Sequence, residues 1–288
     1  GILIEKSTSQ GDSLYDANQH AWMIIMAILS AVMVLLGIYH IFMLPSGGKR
    51  AAAEVHRTGK QVMVELGEVL IDFFRKRHIV YYICFIILYR FAEGFVMKIV
   101  PLFLKTEREM GGLGLSEKEI GLYYGSYGAA AFVLGSLLAG YYISSRGLKK
   151  TLFTLCGIFN LPFLVYTLFA FFQPTNGLLI CSGIIFEYFG YGFGFVGLTL
   201  FMMQQIAPGK HQMAHYAFAS GIMNLGVMIP GMLSGWVCEL FEEWFNKPSG
   251  YEPFFIFVLI ATIPAFLITY FVPFKYNQDG TLIEGEKE

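Results

Sequence analysis

The 288-residue chain is 56% hydrophobic, 17% aromatic and only 14% charged, with a net charge of −1 at pH 7. A soluble domain carries about 25% charged residues, and here the apolar residues run in long blocks instead of alternating with a helical or strand period. The composition is that of a polytopic all-α membrane protein, a bundle of about seven transmembrane helices, and the charge balance argues against a nucleic-acid partner.

Residues 1–20 form a polar segment with Asp12 and Asp16, expected outside the membrane on the extracytoplasmic side. No signal-peptide pattern opens it, and its first residue is Gly, which reads as the start of a fragment. Residues 21–44 are the first apolar span, closed by the breaker cluster Pro45-Ser46-Gly47-Gly48. Residues 45–78 read as a cytoplasmic loop with Lys49, Arg50, Arg57 and Lys60. Within it, 59–76 has Val62, Leu66, Val69, Leu70 and Phe73 on one helical face and Lys60, Glu65, Glu68 and Asp72 off it. That pattern predicts an amphipathic helix on the membrane surface. Arg75-Lys76-Arg77 follows as a juxtamembrane basic cluster.

The second span, 81–104, is the unusual one, because it carries Arg90 and Glu93 near its middle and Lys98 further on. A charge at mid-bilayer costs about 2.5–3.5 kcal/mol or more, so such residues face protein or a water-filled cavity. A mixed-charge loop to Glu119 follows, in which Ser116 and Glu119 have capping-box spacing. The third span, 120–143, is glycine-rich, which permits close helix packing. After the basic loop 144–150 comes the fourth span, 151–172, with Pro162 as a predicted kink. The fifth span, 177–204, holds Glu187 among Tyr188, Tyr191 and several glycines. The sixth, 213–237, contains His215, Asn224 and Pro230, with Glu239, Glu242 and Glu243 assigned to the loop beyond it. The seventh, 254–271, ends at Pro273, and 274–288 is a polar tail.

Seven spans put the two ends on opposite sides. The loops after spans one, three and five and the tail hold 13 Lys/Arg, the other side five, so the C-terminus is expected in the cytoplasm. Cys84, Cys156, Cys181 and Cys238 have no metal-ligand or CxxC spacing and read as small buried side chains. Gly192-Phe193-Gly194-Phe195-Val196-Gly197 matches a dinucleotide fingerprint only literally. It lies inside an apolar span with no preceding strand, so it is a packing stretch. No metal site, cofactor motif or catalytic motif of an enzyme is found.

The chemistry-bearing residues fall in the second and fifth spans at similar depth. Arg90 offers a planar fork of donors suited to a carboxylate on an anionic solute. Its i,i+3 spacing to Glu93 allows an ion pair on one face. A proton-coupled step needs a carboxyl group that can be protonated in a desolvated setting, and Glu93 and Glu187 are the candidates. The alternative for Arg90 and Glu93 is a purely structural pair, and for Glu187 a bond to a neighbouring tyrosine or carbonyl. Tyr191 shares a face with Glu187, and Tyr82 and Tyr89 share one with Glu93, where rings suit stacking on a sugar. Lys98 is a substrate candidate or an interfacial snorkel. His215 and Asn224 are expected to bond between helices.

Residues 140–150, Gly-Tyr-Tyr-Ile-Ser-Ser-Arg-Gly-Leu-Lys-Lys, resemble the cytoplasmic G-x-L-a-D-r-x-G-r-k-k motif of the major facilitator superfamily. Gly140, Gly147, Lys149 and Lys150 match, and Ser144 stands where the motif has Asp. Together with the basic loop followed by six spans, residues 79–273, the chain resembles the C-terminal half of such a transporter, its first span being the sixth of twelve helices. Residues 112–121 and 215–235 resemble AmpG-type permeases. The resemblance implies a transporter and not an enzyme: uptake of anhydro-muropeptides across a bacterial inner membrane by symport with protons. The implied partners are the small-molecule amino-sugar or muropeptide, the lipid bilayer and a missing N-terminal helical half. The alternatives are another saccharide or oligopeptide as substrate, or a seven-helix receptor.

Overall fold

The computed structural model describes residues 14–43, 59–277 and 281–283. Asp12, the breaker cluster at 45–48, Lys49, Arg50, Arg57 and most of the charged tail lie outside the described residues. The chain divides into two compact units, Gly1–Leu66 and Gly67–Glu288. No strand occurs among the described residues beyond one isolated antiparallel bridge, Tyr276 to Leu282.

The first unit contains helix α1, Leu14–Met43, which takes in the last residues of the segment expected to be an extramembrane loop. Leu14 to Gln19 is polar enough to sit above the membrane while still continuing the helix. The apolar side chains of α1, such as Ile28, Val34 and Phe42, are exposed, as in a span surrounded by lipid or other helices. Helix α2, Gly59–Arg75, crosses the boundary between the units. In its second half Val69 and Phe73 are buried while Leu70 is exposed. Phe73 packs on His215 and Phe218, so this part of the helix docks on protein and does not lie on the membrane by its whole apolar face.

The second unit is a helical bundle. Six stretches of the described chain are long and apolar enough to cross a membrane: Asn18–Met43, Glu117–Arg146, Leu148–Phe172, Gly177–Ile206, Gln212–Phe245 and Tyr251–Tyr270. The expected second span, 81–104, is not one helix. It is α3, Ile79–Tyr89, and α4, Phe91–Lys105, broken at Arg90, whose φ of −106° and ψ of 6° leave the helical region. Helix α5, Glu117–Arg146, opens on the predicted capping box: Ser116 Oγ accepts from the Glu119 amide, and Glu119 Oε2 accepts from the Ser116 amide. Its turns over Gly121–Gly128 are widened to π-helical geometry. Gly147, at φ +82°, a conformation that favours glycine, ends it.

The predicted kink at Pro162 is present: it interrupts the hydrogen-bond ladder between α6, Leu148–Asn160, and α7, Phe163–Phe172, while Leu161 and Pro162 keep helical backbone angles. Helix α8, Gly177–Ile206, is capped by Asn176, whose side chain accepts from the Leu178 amide at 2.9 Å. Helix α9, Gln212–Phe245, is longer than expected. Glu239, Glu242 and Glu243 extend the helix and do not form a loop, because their backbone continues in register past the apolar section. It ends at Asn246 in the left-handed conformation. Helices α10, Tyr251–Ala261, and α11, Ile263–Tyr270, complete the bundle.

The apolar core of this unit is in two parts. One gathers Phe73, the buried face of α3, Leu152, Leu155 and Phe159 of α6, and the second half of α8 from Phe193 onward. The other gathers the buried face of α4, Phe163 and Tyr166 of α7, Ile180 and Ile184 of α8, and Phe254 to Ala261 of α10. The division falls at Arg90 in α3–α4, at Asn160 to Pro162 in α6–α7 and near Glu187 in α8. The cysteines depart from expectation in part: Cys156 and Cys181 are buried, but Cys84 is exposed and Cys238 half-buried, because Cys84 falls on the outer face of α3.

Candidate functional site at the polar layer

The break at Arg90 creates two helix ends inside the bundle. The C-terminal end of α3 carries partial negative charge and the N-terminal end of α4 partial positive charge. Arg90 stands at the first and Glu93 in the first turn of the second, so each charge faces the dipole that favours it. The two are 4% and 6% exposed and pair at two points: Arg90 Nε to Glu93 Oε2 and Arg90 Nη2 to Glu93 Oε1, each 2.6 Å. This planar fork-to-carboxylate geometry is the strong form of the ion pair.

Helix α8 supplies the opposite wall. Arg90 Nη2 donates to Tyr191 Oη at 3.4 Å, and the guanidinium carbon lies 5.3 Å from the centre of the Phe195 ring. One turn earlier, Glu187 is 8% exposed and accepts a hydrogen bond at Oε2 from the Tyr166 hydroxyl, 3.2 Å away. Among the described residues no cation pairs with Glu187. Glu93 and Glu187 line one cavity of about 40 Å³ with Tyr124, Tyr188, Tyr191, Phe159 and Phe163. A water needs about 10–15 Å³ of such space, so the cavity takes a few waters at most and no sugar ring.

The structure thus brings Arg90, Glu93, Glu187 and Tyr191 together, and it leaves Lys98 outside. Lys98 is exposed, with its stem against Gly231 of α9. Tyr82 and Tyr89 also lie elsewhere. Both are buried in the apolar core, and Tyr89 donates to the Gly194 carbonyl at 3.1 Å, so neither ring is free to stack on a ligand. Gly140 has open space where a Cβ would stand, and Lys149 and Lys150 are exposed at the end of the bundle remote from the polar layer. His215 bonds as expected between elements, its Nε2 lying 3.2 Å from the Val69 carbonyl, whereas Asn224 is exposed.

Three residues of the layer escaped the sequence reading. Tyr166 is one tyrosine among 17, with no distinguishing spacing. Tyr124 reaches the cavity from the widened turns of α5, which no sequence pattern announced. Asn160, 1% exposed, has its Nδ2 on the Cys156 carbonyl and its Oδ1 buried without a hydrogen-bond partner among the described residues. A lone amide in an apolar run, two residues before a proline, was the available signal. Among the described residues no three His, Cys, Asp or Glu side chains gather as a metal site.

Comparison with known proteins adds the family. A sequence model of the Major Facilitator Superfamily matches residues 13–212. The chain belongs to the Major Facilitator Superfamily. Among this member's relatives, Putative transporter AmpG 1 of Rickettsia felis (strain ATCC VR-1525 / URRWXCal2) is 25% identical over 191 residues, covering 66% of this chain and 40% of that protein. Anhydromuropeptide permease of Escherichia coli (strain K12) is 22% identical over 202 residues, 68% of this chain and 37% of that protein. The chain therefore spans less than half the length of the curated relatives it matches. These relatives are named as a transporter and a permease, not as enzymes, and superfamily membership takes the place of the receptor alternative.

Proposed function

We propose that the protein takes part in proton-coupled uptake of anhydro-muropeptides across a bacterial inner membrane, with its C-terminus in the cytoplasm. The substrate rests on the name of the Escherichia coli relative, and the orientation on the placement of Lys and Arg. Coupling to protons rests on one observation: Glu187 is buried beside a small cavity with a tyrosine hydroxyl, and among the described residues no side-chain cation, on its carboxylate. Its neighbour Glu93 is neutralised by Arg90 through both oxygens. A buried carboxylate is costly unless its charge is cancelled, and a proton is the canceller that can come and go. In this reading Glu187 carries the proton. The Arg90–Glu93 pair is the element that an anionic substrate opens, by taking over the guanidinium. Alternating access needs two helical bundles rocking about a shared site. The bundle from α3 to α11 is one of them, and the proposal includes a second of the same superfamily as its partner.

The test is uptake of labelled anhydro-muropeptide by the full-length protein in proteoliposomes, with and without an inward proton gradient. Wild type should show gradient-driven uptake, Arg90→Ala should abolish it, and Glu187→Gln should leave only exchange that ignores the gradient. Well-folded wild type that takes up a different saccharide or an oligopeptide instead would replace the substrate and keep the coupling centre. Uptake insensitive to both changes would reduce these charges to scaffolding.

A further inference from the structure

A second cavity, of about 390 Å³, opens at the end of the bundle that the positive-inside pattern assigns to the cytoplasm. Three separate segments build it: the end of α2 with the turn after it, the turn between α8 and α9, and the chain after α11. Its walls carry Arg75, Lys76, Arg77, Lys210 and Lys275 and, among the described residues, a single carboxylate, Asp72. That carboxylate is shared with His211, whose Nε2 lies 3.7 Å from Asp72 Oδ2.

Two of the cations, Lys76 and Lys275, are held in place by the fold. The Lys76 ammonium donates to the carbonyls of Ile206 at 2.5 Å and Pro208 at 2.7 Å, at the C-terminal end of α8, 130 residues on in sequence. Gln205 Oε1 accepts from the amides of Lys275 and Tyr276, which fixes the segment after α11 against the same end of α8. Lys275 is only 6% exposed and its ammonium lies over the Tyr276 ring, 5.2 Å from the centroid. No carboxylate pairs with it among the described residues. Burial, reinforced by repulsion from Lys275 and offset in part by Asp72, lowers Lys76 from its ordinary 10.5 to about 8. Lys275 thus holds a positive charge that no carboxylate neutralises among the described residues, and a nearly buried ammonium without a counter-ion is costly.

We infer that this cavity is a binding site for a phosphate group, either the headgroup of an acidic phospholipid or a free phosphate ester. Ammonium and guanidinium groups converge on it from three segments, and a phosphate presents several oxygens to such a set where a carboxylate presents two. The volume exceeds that of one small anion and leaves room for the group that carries it. Basic pockets between spans at the cytoplasmic surface are where acidic headgroups bind. Ile71 and Phe74 are exposed on α2 beside Asp72 and Arg75, so acyl chains have an apolar surface at the mouth. This site is remote from the polar layer and does not depend on the transport reading.

The experiment is thermal unfolding of the full-length protein in mild detergent, titrated separately with inorganic phosphate and with short-chain phosphatidylglycerol. The proteins compared are wild type, Lys275→Gln, Lys210→Gln and, as a control on a neighbouring basic loop, the double variant Lys149→Gln/Lys150→Gln. Wild type should be stabilised, and loss of one charge-assisted contact should weaken the apparent affinity about tenfold in each pocket variant, leaving the control unchanged. Stabilisation by phosphatidylglycerol alone assigns a lipid headgroup, and by inorganic phosphate alone or by both a site open to free phosphate esters. If the buried Lys275→Gln change prevents folding, Lys210→Gln, on an exposed side chain, carries the comparison. The inference is overturned if neither probe stabilises wild type, or if the control weakens binding as much as the pocket variants do.

Discussion

Arg90 and Glu93 are joined by two hydrogen-bonded contacts of 2.6 Å across a helix break, with both side chains almost wholly buried. Breaking a buried pair by removing one partner leaves the other charge uncompensated, at a cost of about 3–5 kcal/mol, whereas replacing both by apolar groups is often close to neutral. Arg90→Met and Glu93→Met are therefore each expected to destabilise strongly, and the double variant to lose much less than their sum. Unfolding of the four proteins in mild detergent gives the coupling. Additive losses would refute the pairing as a stabilising unit.

Glu187→Gln keeps the size of the side chain and an oxygen for the Tyr166 hydroxyl. Its stability should stay within about 1 kcal/mol of wild type, the net worth of an ordinary hydrogen bond. Its gradient-driven uptake, however, should be lost. The two readouts together separate a proton carrier from a scaffold residue, which would lose stability and uptake in parallel.

Two glycines should behave oppositely. At Gly94 an added Cβ would stand 2.6 Å from the Val227 carbonyl oxygen and 2.7 Å from Pro230 Cγ, so Gly94→Ala forces α4 and α9 apart. Overpacking of this kind costs about 1–3 kcal/mol. At Gly140 nothing lies within 4 Å, and alanine is the better helix former by about 0.5–1 kcal/mol. Gly140→Ala should be at least as stable as wild type. Unfolding midpoints for both variants check the contrast.

Lys76 gives a pH signature. Its folded value of about 8 lies below its unfolded 10.5, so between those values the unfolded chain holds more protons. Stability then rises with pH over that window, and the destabilising share is fully present below pH 8. The groups facing it are Asp72 and Arg75 of α2, Arg77, Lys210, His211, His215 of α9, and Lys275 with Tyr276. In Lys76→Met the rise should flatten, whatever the absolute loss from the missing carbonyl contacts. Thermal unfolding at pH 7 to 10 compares the two slopes, and equal slopes would sink the assignment.

Much of the architecture was readable because lipid leaves few choices. Long apolar runs, the Ser116–Glu119 cap and the mid-span charges needed only composition and spacing. Arg90, Glu93 and Glu187 stood out because polar groups in such runs are rare. The break at Arg90 did not, since neither proline nor glycine occupies the position, and the extra length of α9 did not, because a polar sequence ends a span without ending a helix. Which way a helix turns its faces also stayed hidden, so Cys84 was misjudged while Tyr166 and Asn160 went unnoticed. The phosphate pocket joins residues that sequence scatters across three loops, and only the fold counts them together.

The two-part core has a mechanical consequence. On one side of the polar layer, Tyr89 ties α3 to α8 through the Gly194 carbonyl; on the other, Gly94 lets α4 lie directly against α9. Both halves also rest on α9, α3 where Gly226 comes up against the Ile87 backbone, and the backbone hinge between the halves is spanned by one ion pair. Opening that pair would release a joint, allowing the two blocks to tilt against each other while each stays closely packed. A charged ligand arriving at Arg90 would then act as a latch on motion, and its affinity would be felt as torque between helices that it never touches.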